Sequence, residues 1–271
     1  QAGHGDSLIA CFRSRRPDRH PPPAERRAIV IGAGIAGSTS AHALAAAGWH
    51  VTVLEQAGEP ATGASGNIAG VLRPLPSADD NRLSRLTRAG YLATRALLGR
   101  LPEARWAACG VLHLAFDAKE AERQARLAAA FPSDLLHSLE REQAEAQAGI
   151  ALPAGGLFYP EGGWVHPPAL CELLARHPNI RLLPHSEALE LQRVDGHWQA
   201  LDGERLLASA PIAVLAGAAE VKRFAQAAEL PLKRIRGQIT RLPQTAASTA
   251  LHTVLCAEGY VAPVRNGEHT L

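Results

Sequence analysis

An α/β fold containing a Rossmann-like unit is predicted by three features: the apolar run Ala28-Ile29-Val30-Ile31, the turn Gly32-Ala33-Gly34-Ile35-Ala36-Gly37, and a second apolar run Val51-Thr52-Val53-Leu54 ending at Glu55. The order reads as strand, glycine turn, helix and strand, the context in which a glycine fingerprint carries meaning. A glycine-rich turn alone can be purely structural. Here the three glycines have distinct roles. Gly32 permits the tight turn, Gly34 leaves room for a pyrophosphate to approach the backbone, and Gly37 lets the helix beginning near Ile35 pack closely on the strand. Amides at Ile35 and Ala36, at the positive end of the helix dipole, attract phosphate. Glu55, with Gln56 behind it, lies near the roughly 20-residue offset at which a carboxylate accepts hydrogen bonds from a ribose diol. No Arg or Lys follows directly, which disfavours a 2′-phosphate and therefore NADP.

Bulk properties set the limits. With 271 residues, 46% hydrophobic and 20% charged, the chain can bury one large core or two modest ones. No apolar run reaches the roughly 18 residues of a membrane span, and the first residues lack the apolar core of a signal peptide, so a cytoplasmic location is expected. The four cysteines (Cys11, Cys109, Cys171, Cys256) are far apart and form no CxxC pair, so neither a disulfide framework nor a metal is expected. A net charge of +2 does not demand a nucleic-acid partner, nor does it exclude one. The chain begins at Gln1 and contains no methionine, which points to a fragment.

Further elements follow in order. Arg13, Arg15 and Arg16 read as a solvated tail, and Pro17 to Pro23 as an extended linker. After Glu55 a dinucleotide half-domain would continue quickly to another helix and strand; instead Thr62 to Gly70 is too glycine-rich for a helix and suits a loop laid against a ligand. Apolar spacing predicts helices over Leu83–Leu101 and Ala118–Ala130, with a strand at Val111–Phe116 between them. Gly155 to Pro168 marks a crossing between layers or domains, followed by a helix over Ala169–His177. Strands are expected at Ile180–Leu183, at Ala188–Val194 with a hairpin through Asp195-Gly196 into His197–Leu201, and at Pro211–Ala216, a run that suits a buried parallel strand. From Leu232 to Val264 short strands return, and no element is evident at the C-terminus.

Together these pieces resemble the D-amino-acid oxidase and glycine oxidase superfamily of FAD enzymes. Within it the closer resemblance is to the FAD-dependent oxidoreductase domains of the bifunctional tRNA 5-methylaminomethyl-2-thiouridine biosynthesis proteins. The similarity is carried by Ala64-Ser65-Gly66-Asn67, Cys109-Gly110-Val111, Tyr159-Pro160-Glu161-Gly162-Gly163-Trp164, Gly237-Gln238 and Val254-Leu255-Cys256-Ala257-Glu258-Gly259-Tyr260. It implies a Rossmann-like FAD-binding domain interrupted by a mixed-sheet substrate domain. The implied parts are a methyltransferase-like tail (1–16), a proline-rich linker (17–27), the FAD-binding domain (28–108 and 161–229) and the substrate domain (109–160 and 230–271, incomplete).

The resemblance also implies roles. Gly32, Gly34 and Gly37 carry the FAD pyrophosphate, Glu55 holds the adenosine ribose, Ala188 presents backbone to the adenine, and Ala216-Gly217 pack beside the dinucleotide. Ala64, Ser65, Gly66, Asn67 and Gly70 line the flavin end, whereas Gln238 and Tyr260 sit toward the substrate, though a strand-end turn or a core aromatic explains them equally well. A further C-terminal segment, with a substrate-gripping arginine, is expected beyond Leu271. The implied reaction removes a carboxymethyl group from a secondary amine on a wobble uridine of tRNA: a hydride passes to flavin, and the imine hydrolyses to a primary amine and glyoxylate. No general base is nominated. A free-standing oxidase of glycine or another small amine, or a catalytically incomplete flavoprotein fragment, shares the same cofactor residues.

Overall fold

The computed structural model describes residues 24–271. The arginine tail and residues 17–23 of the expected linker lie outside the described residues. The chain divides into two compact units that interleave along the sequence, one comprising 24–68 and Pro167–Gln238, the other Ala69–His166 and Ile239–Leu271.

In the first unit, four strands form a parallel sheet in the order Ile212–Leu215, Arg27–Ile31, His50–Leu54, Ile180–Leu183. A helix over Ile35–Ala46 connects the two middle strands, as a parallel crossover requires. Its buried face is Gly37, Ser38, Ala41 and Ala45, all small, so the helix packs close to the sheet. Val30, Val51 and Val53 meet Ala41 and Ala45 on that side. Ile29, Ile31 and Leu54 point to the other side, where Ala188, Leu191, Ala200 and Phe224 cover them. Of these, Leu191 and Ala200 belong to a three-stranded antiparallel sheet of Glu190–Val194, His197–Asp202 and Arg205–Ala210. Its first turn is the expected one: Asp195 and Gly196 take φ of 48° and 80°, the left-handed pair that a two-residue hairpin needs. Arg205–Ala210 adds a third strand, after a second tight turn, beyond the hairpin expected from the sequence. Ile212–Leu215 is parallel as expected but only half-buried, because it forms the sheet edge.

In the second unit, a five-stranded mixed sheet runs in the order Tyr260–Val261, Val254–Cys256, Val111–Leu114, Gly156–Tyr159, His137–Leu139. Only the pairing of Val254–Cys256 with Val111–Leu114 is parallel. Side chains alternate cleanly: Val111, Leu157 and Tyr159 pack with Leu127 and Leu136, whereas Leu112, Leu114 and Phe158 pack with Ala144, Ala148 and Leu152 on the opposite face. Helices Ala118–Ala130 and Arg141–Ala148 therefore cover opposite sides. A smaller sheet holds Gly163–Val165 between Gly70–Leu72 and Trp106–Ala107. Residues 69–108 and 161–166 fall in this compact unit, whereas the resemblance implied the FAD-binding domain for them. Glu268–Thr270, where no terminal element was evident, pairs with Arg241–Pro243. The Asn266-Gly267 turn before it, φ 51° and 83°, joins Arg265 to Glu268, which bridge across it.

Leu157 is fully buried at the sheet centre, so Leu157→Ala is expected to lower unfolding free energy by about 2–5 kcal/mol in urea titrations. On the neighbouring helix, a hydrogen-bonded Arg123 holds the Glu120 carboxyl at about 2, with Gln124 adding a second bond. A depressed folded pKa stabilises above the unfolded value and is lost as pH falls toward the folded one. The stability difference between the wild type and Glu120→Gln is therefore expected to be constant near neutrality and to shrink between about pH 4.5 and 2 in thermal melts.

Candidate functional site

The main groove of the first unit has a volume of about 990 Å³ and opens where its parallel strands end: Ile31, Leu54 and Leu215, each the last residue of a strand, form its apolar wall. Open parallel sheets bind ligands at that edge, where crossovers leave a central strand in opposite directions. The central strand here is Arg27–Ile31, which continues into the glycine turn.

Gly32 takes φ of 103°, and its amide donates to the Leu54 carbonyl at 2.8 Å. A Cβ at Gly37 would stand 1.8 Å from the Gly32 carbonyl oxygen, so helix and turn touch backbone to backbone. At Gly34 a Cβ would reach 3.0 Å from Ser65 Oγ. Gly34 is the helix N-cap and has no capping side chain; Ser65 supplies one from the loop, its Oγ accepting from the Ile35 amide at 3.0 Å. The amides of Ala36 and Gly37 have no acceptor among the described residues, so the start of the helix retains donors for an anion.

Glu55 is 8% exposed and has a structural role that its spacing from the glycines does not reveal. One carboxylate oxygen accepts from the Ala33 amide at 2.8 Å, the other from the Ala57 amide at 2.9 Å. The side chain thus ties the glycine turn to the loop after the second strand while lining the groove. Each oxygen has a second lone pair, which leaves capacity for a vicinal diol.

Of the sequence candidates, Gly32, Gly34, Ile35, Ala36, Glu55, Gln56, Ala64, Ser65, Ala188, Ala216 and Gly217 line this groove. Gly37 lies behind it, at the contact with Gly32. Gly66 closes a tight turn, its amide donating to Gly63 O at 2.8 Å, and with Asn67 it continues the same loop beyond the groove lining. Gly70 belongs to the other unit, where it opens the strand Gly70–Leu72. Gln238 ends the first unit in an exposed stretch, whereas Tyr260 lies in the second unit with its hydroxyl donating to Ala69 O at 2.8 Å.

Other groove residues left no signal in the sequence. Ala61 and Ala218 adopt left-handed φ of 61° and 50°, unusual for alanine, and both line the groove. Along the rim, Arg223 bonds Glu187 at 2.7 Å and Glu220 at 3.3 Å, and Arg234 pairs with the same Glu220. These exposed pairs frame the opening and add little stability. Among the described residues, no cluster of His, Cys, Asp and Glu could hold a metal ion, and no helix is long and apolar enough to cross a membrane.

The family described as "FAD dependent oxidoreductase" matches residues 27–271. The chain is 65% identical over 247 residues to the tRNA 5-methylaminomethyl-2-thiouridine biosynthesis bifunctional protein MnmC of Pseudomonas putida (strain GB-1), covering 91% of this chain and 38% of that protein. Against the protein of the same name from Pseudomonas fluorescens, identity is 61% over 270 residues, covering 99% of this chain and 41% of that protein. The chain thus spans about two fifths of the length of these relatives. Among solved structures, glycine oxidase from Geobacillus kaustophilus superposes with a TM-score of 0.70 at 22% identity, covering 90% of this chain and 70% of that one. L-proline dehydrogenase from P. horikoshii gives 0.70 at 17% identity, covering 92% and 70%. These two likenesses concern the fold.

In Glu55→Gln the amide NH2 cannot accept, so one of the two backbone donors loses its partner. Cofactor-free protein carrying this substitution is expected to be destabilised by about 1–3 kcal/mol in urea unfolding. An unchanged midpoint would show that the carboxylate does not bridge the two turns.

Proposed function

Because the chain belongs to the FAD dependent oxidoreductase family, we propose that it is the flavoprotein part of a tRNA-modifying enzyme. The proposed reaction removes the carboxymethyl group from 5-carboxymethylaminomethyl-2-thiouridine at the wobble position, releasing glyoxylate. The carrying observation is the groove at the carboxyl ends of the parallel strands, with donor amides at one helix start and a buried, groove-lining carboxylate.

These residues fit an adenine dinucleotide. The amide of Ala36, with the room left at Gly32 and Gly34, would receive the diphosphate next to Ile35, while Gly37 lets the helix start approach the turn. Glu55, flanked by Gln56, would accept the ribose hydroxyls. Ala188, Ala216 and Gly217 would pass beside the adenine end, and Ala64, Ser65, Gly66 and Asn67 would follow the dinucleotide toward the flavin. When bound, FAD supplies a two-electron acceptor for the C–H bond next to the substrate nitrogen. The protein's share is orientation and exclusion of water. Ile31, Leu54 and Leu215 provide a dry wall, and the Glu55 bridge keeps the two turns in register before any ligand arrives.

Support for the substrate comes from the relatives, whose name specifies biosynthesis of 5-methylaminomethyl-2-thiouridine in tRNA and a bifunctional protein. Removal of the carboxymethyl group leaves a primary amine, which one methyl transfer converts into that methylaminomethyl group. A methyltransferase domain in the full-length protein is therefore the proposed partner, tRNA the substrate, and the cytoplasm the location. Alignment over 99% of the chain with the Pseudomonas fluorescens protein is consistent with residues 1–16 being the end of such a domain.

The test has two stages. Heat-released cofactor from the purified protein is expected to be FAD by chromatography and absorbance. The flavin-loaded protein is then expected to release glyoxylate from tRNA bearing the carboxymethylaminomethyl group, one per modified uridine. Flavin without glyoxylate from that tRNA, together with peroxide from glycine or another free amine, would replace the tRNA reading with a small-amine oxidase.

A further inference from the structure

Residues 230–236, near the end of the first unit, run along the cofactor groove without belonging to any helix or strand. Leu230, Leu232, Lys233, Arg234 and Ile235 all line it. Their backbone has little support. The Leu230 amide donates to Ala227 O at 3.2 Å and the Leu232 amide to Leu230 O at 2.7 Å, but from Lys233 to Arg236 no backbone group has a backbone partner among the described residues. Leu230 and Leu232 are exposed, and Ile235 is 81% exposed. Few buried apolar contacts and a solvated backbone mark a segment that opens at low cost.

Among the described residues, one polar side-chain tie holds this segment: Arg234 pairs with Glu220 on the short helix Ala218–Arg223. That helix follows directly on Ala216 and Gly217, and a Cβ at Gly32 would stand 2.9 Å from Ala216 O, so the tie is anchored beside the glycine turn. Glu220 is braced from its other side, where Arg223 donates to it at 3.3 Å and to Glu187 at 2.7 Å. Both members of the Arg234–Glu220 pair are exposed, which makes the pair weak and sensitive to salt. A ligand in the groove changes the balance. Apolar side chains left open on a groove wall are covered once it fills, so an occupied groove favours the closed segment over the open one. Lys233, which has no acidic partner among the described residues, adds a positive charge to a groove that would receive two negative ones.

We propose that residues 230–236 are a strap that clasps bound FAD, with Arg234 and Glu220 as its latch. The inference rests on the groove taking FAD and is independent of the tRNA substrate. Opening the latch frees the strap, and with it the route by which the cofactor enters and leaves.

Trypsin reads the strap directly, because Lys233, Arg234 and Arg236 lie on it. Cleavage after Arg236 is followed by mass spectrometry at low protease, in protein stripped of flavin and in protein reloaded with FAD. Saturating FAD is expected to slow it about tenfold or more. Cleavage after Arg181, inside the strand Ile180–Leu183, reports global unfolding and is expected to lag far behind in both forms. Arg234→Gln removes the latch and keeps the Arg236 site. At low salt it is expected to speed cleavage of the loaded protein and release of fluorescent flavin by about twofold to fivefold, a gap that closes as salt is raised. Glu220→Gln should behave alike. Arg205→Gln, whose partner Asp202 lies away from the groove, is the control and should change neither rate. Equal cleavage after Arg236 in stripped and loaded protein, or cleavage there no faster than after Arg181, would overturn the strap while leaving the cofactor reading intact. Wild-type rates in both latch variants would overturn the latch. A protein that takes up no FAD would overturn the strap and the cofactor reading together.

Discussion

One buried carboxylate links the parts on which the candidate site depends. Glu55 reaches from the end of its strand to the Ala33 amide in the glycine turn and to the Ala57 amide in the following loop. Two irregular segments with polar backbone are thereby satisfied away from water, and burial makes each of those bonds costly to lose. The groove wall, the helix start and the loop bearing Ser65 are all shaped around this contact. Ser65 adds a second link by capping the helix whose own N-cap, Gly34, has no side chain. The residue that gives a ligand access therefore cannot cap the helix, and a loop some thirty residues later does so instead.

The sheet that supports the groove is assembled from distant pieces. His50–Leu54 pairs with Ile180–Leu183, and Arg27–Ile31 with Ile212–Leu215, so neither outer strand exists until the intervening chain has folded. Such long-range parallel pairing is slow to form because loop closure precedes the gain from contacts. The other unit has the same character, since Val254–Cys256 joins Val111–Leu114 across most of the chain length. In both units the strands that close the sheet are short and apolar, and their partners lie too far away for local patterning to identify.

Elements with strong periodicity were legible in the sequence. Ala118–Ala130 begins at its Asp117 cap and ends where expected, and the Asp195-Gly196 hairpin has the register its turn dictates. Arg141–Ala148 is not legible in the same way, because its eight residues are mainly Ala, Gln and Glu with little apolar stripe; Glu140 and Gln143 hold its start by reciprocal capping. Trp106–Ala107 is equally invisible. Two residues carry no alternation, and only the partner strand Gly163–Val165 makes them a strand.

From the sequence alone came the strand–turn–helix core, the three glycines with distinct duties and an acid at the right offset, because backbone sterics and hydrophobic period act over a few residues. Tertiary structure alone decided that Glu55 bonds two backbone amides, that Ala61 and Ala218 take left-handed conformations beside the groove, and that Arg265 stacks on Trp164. Those facts depend on contacts between segments remote in the chain. A side chain's partner across such a distance is set by packing and sheet register, which no local pattern encodes.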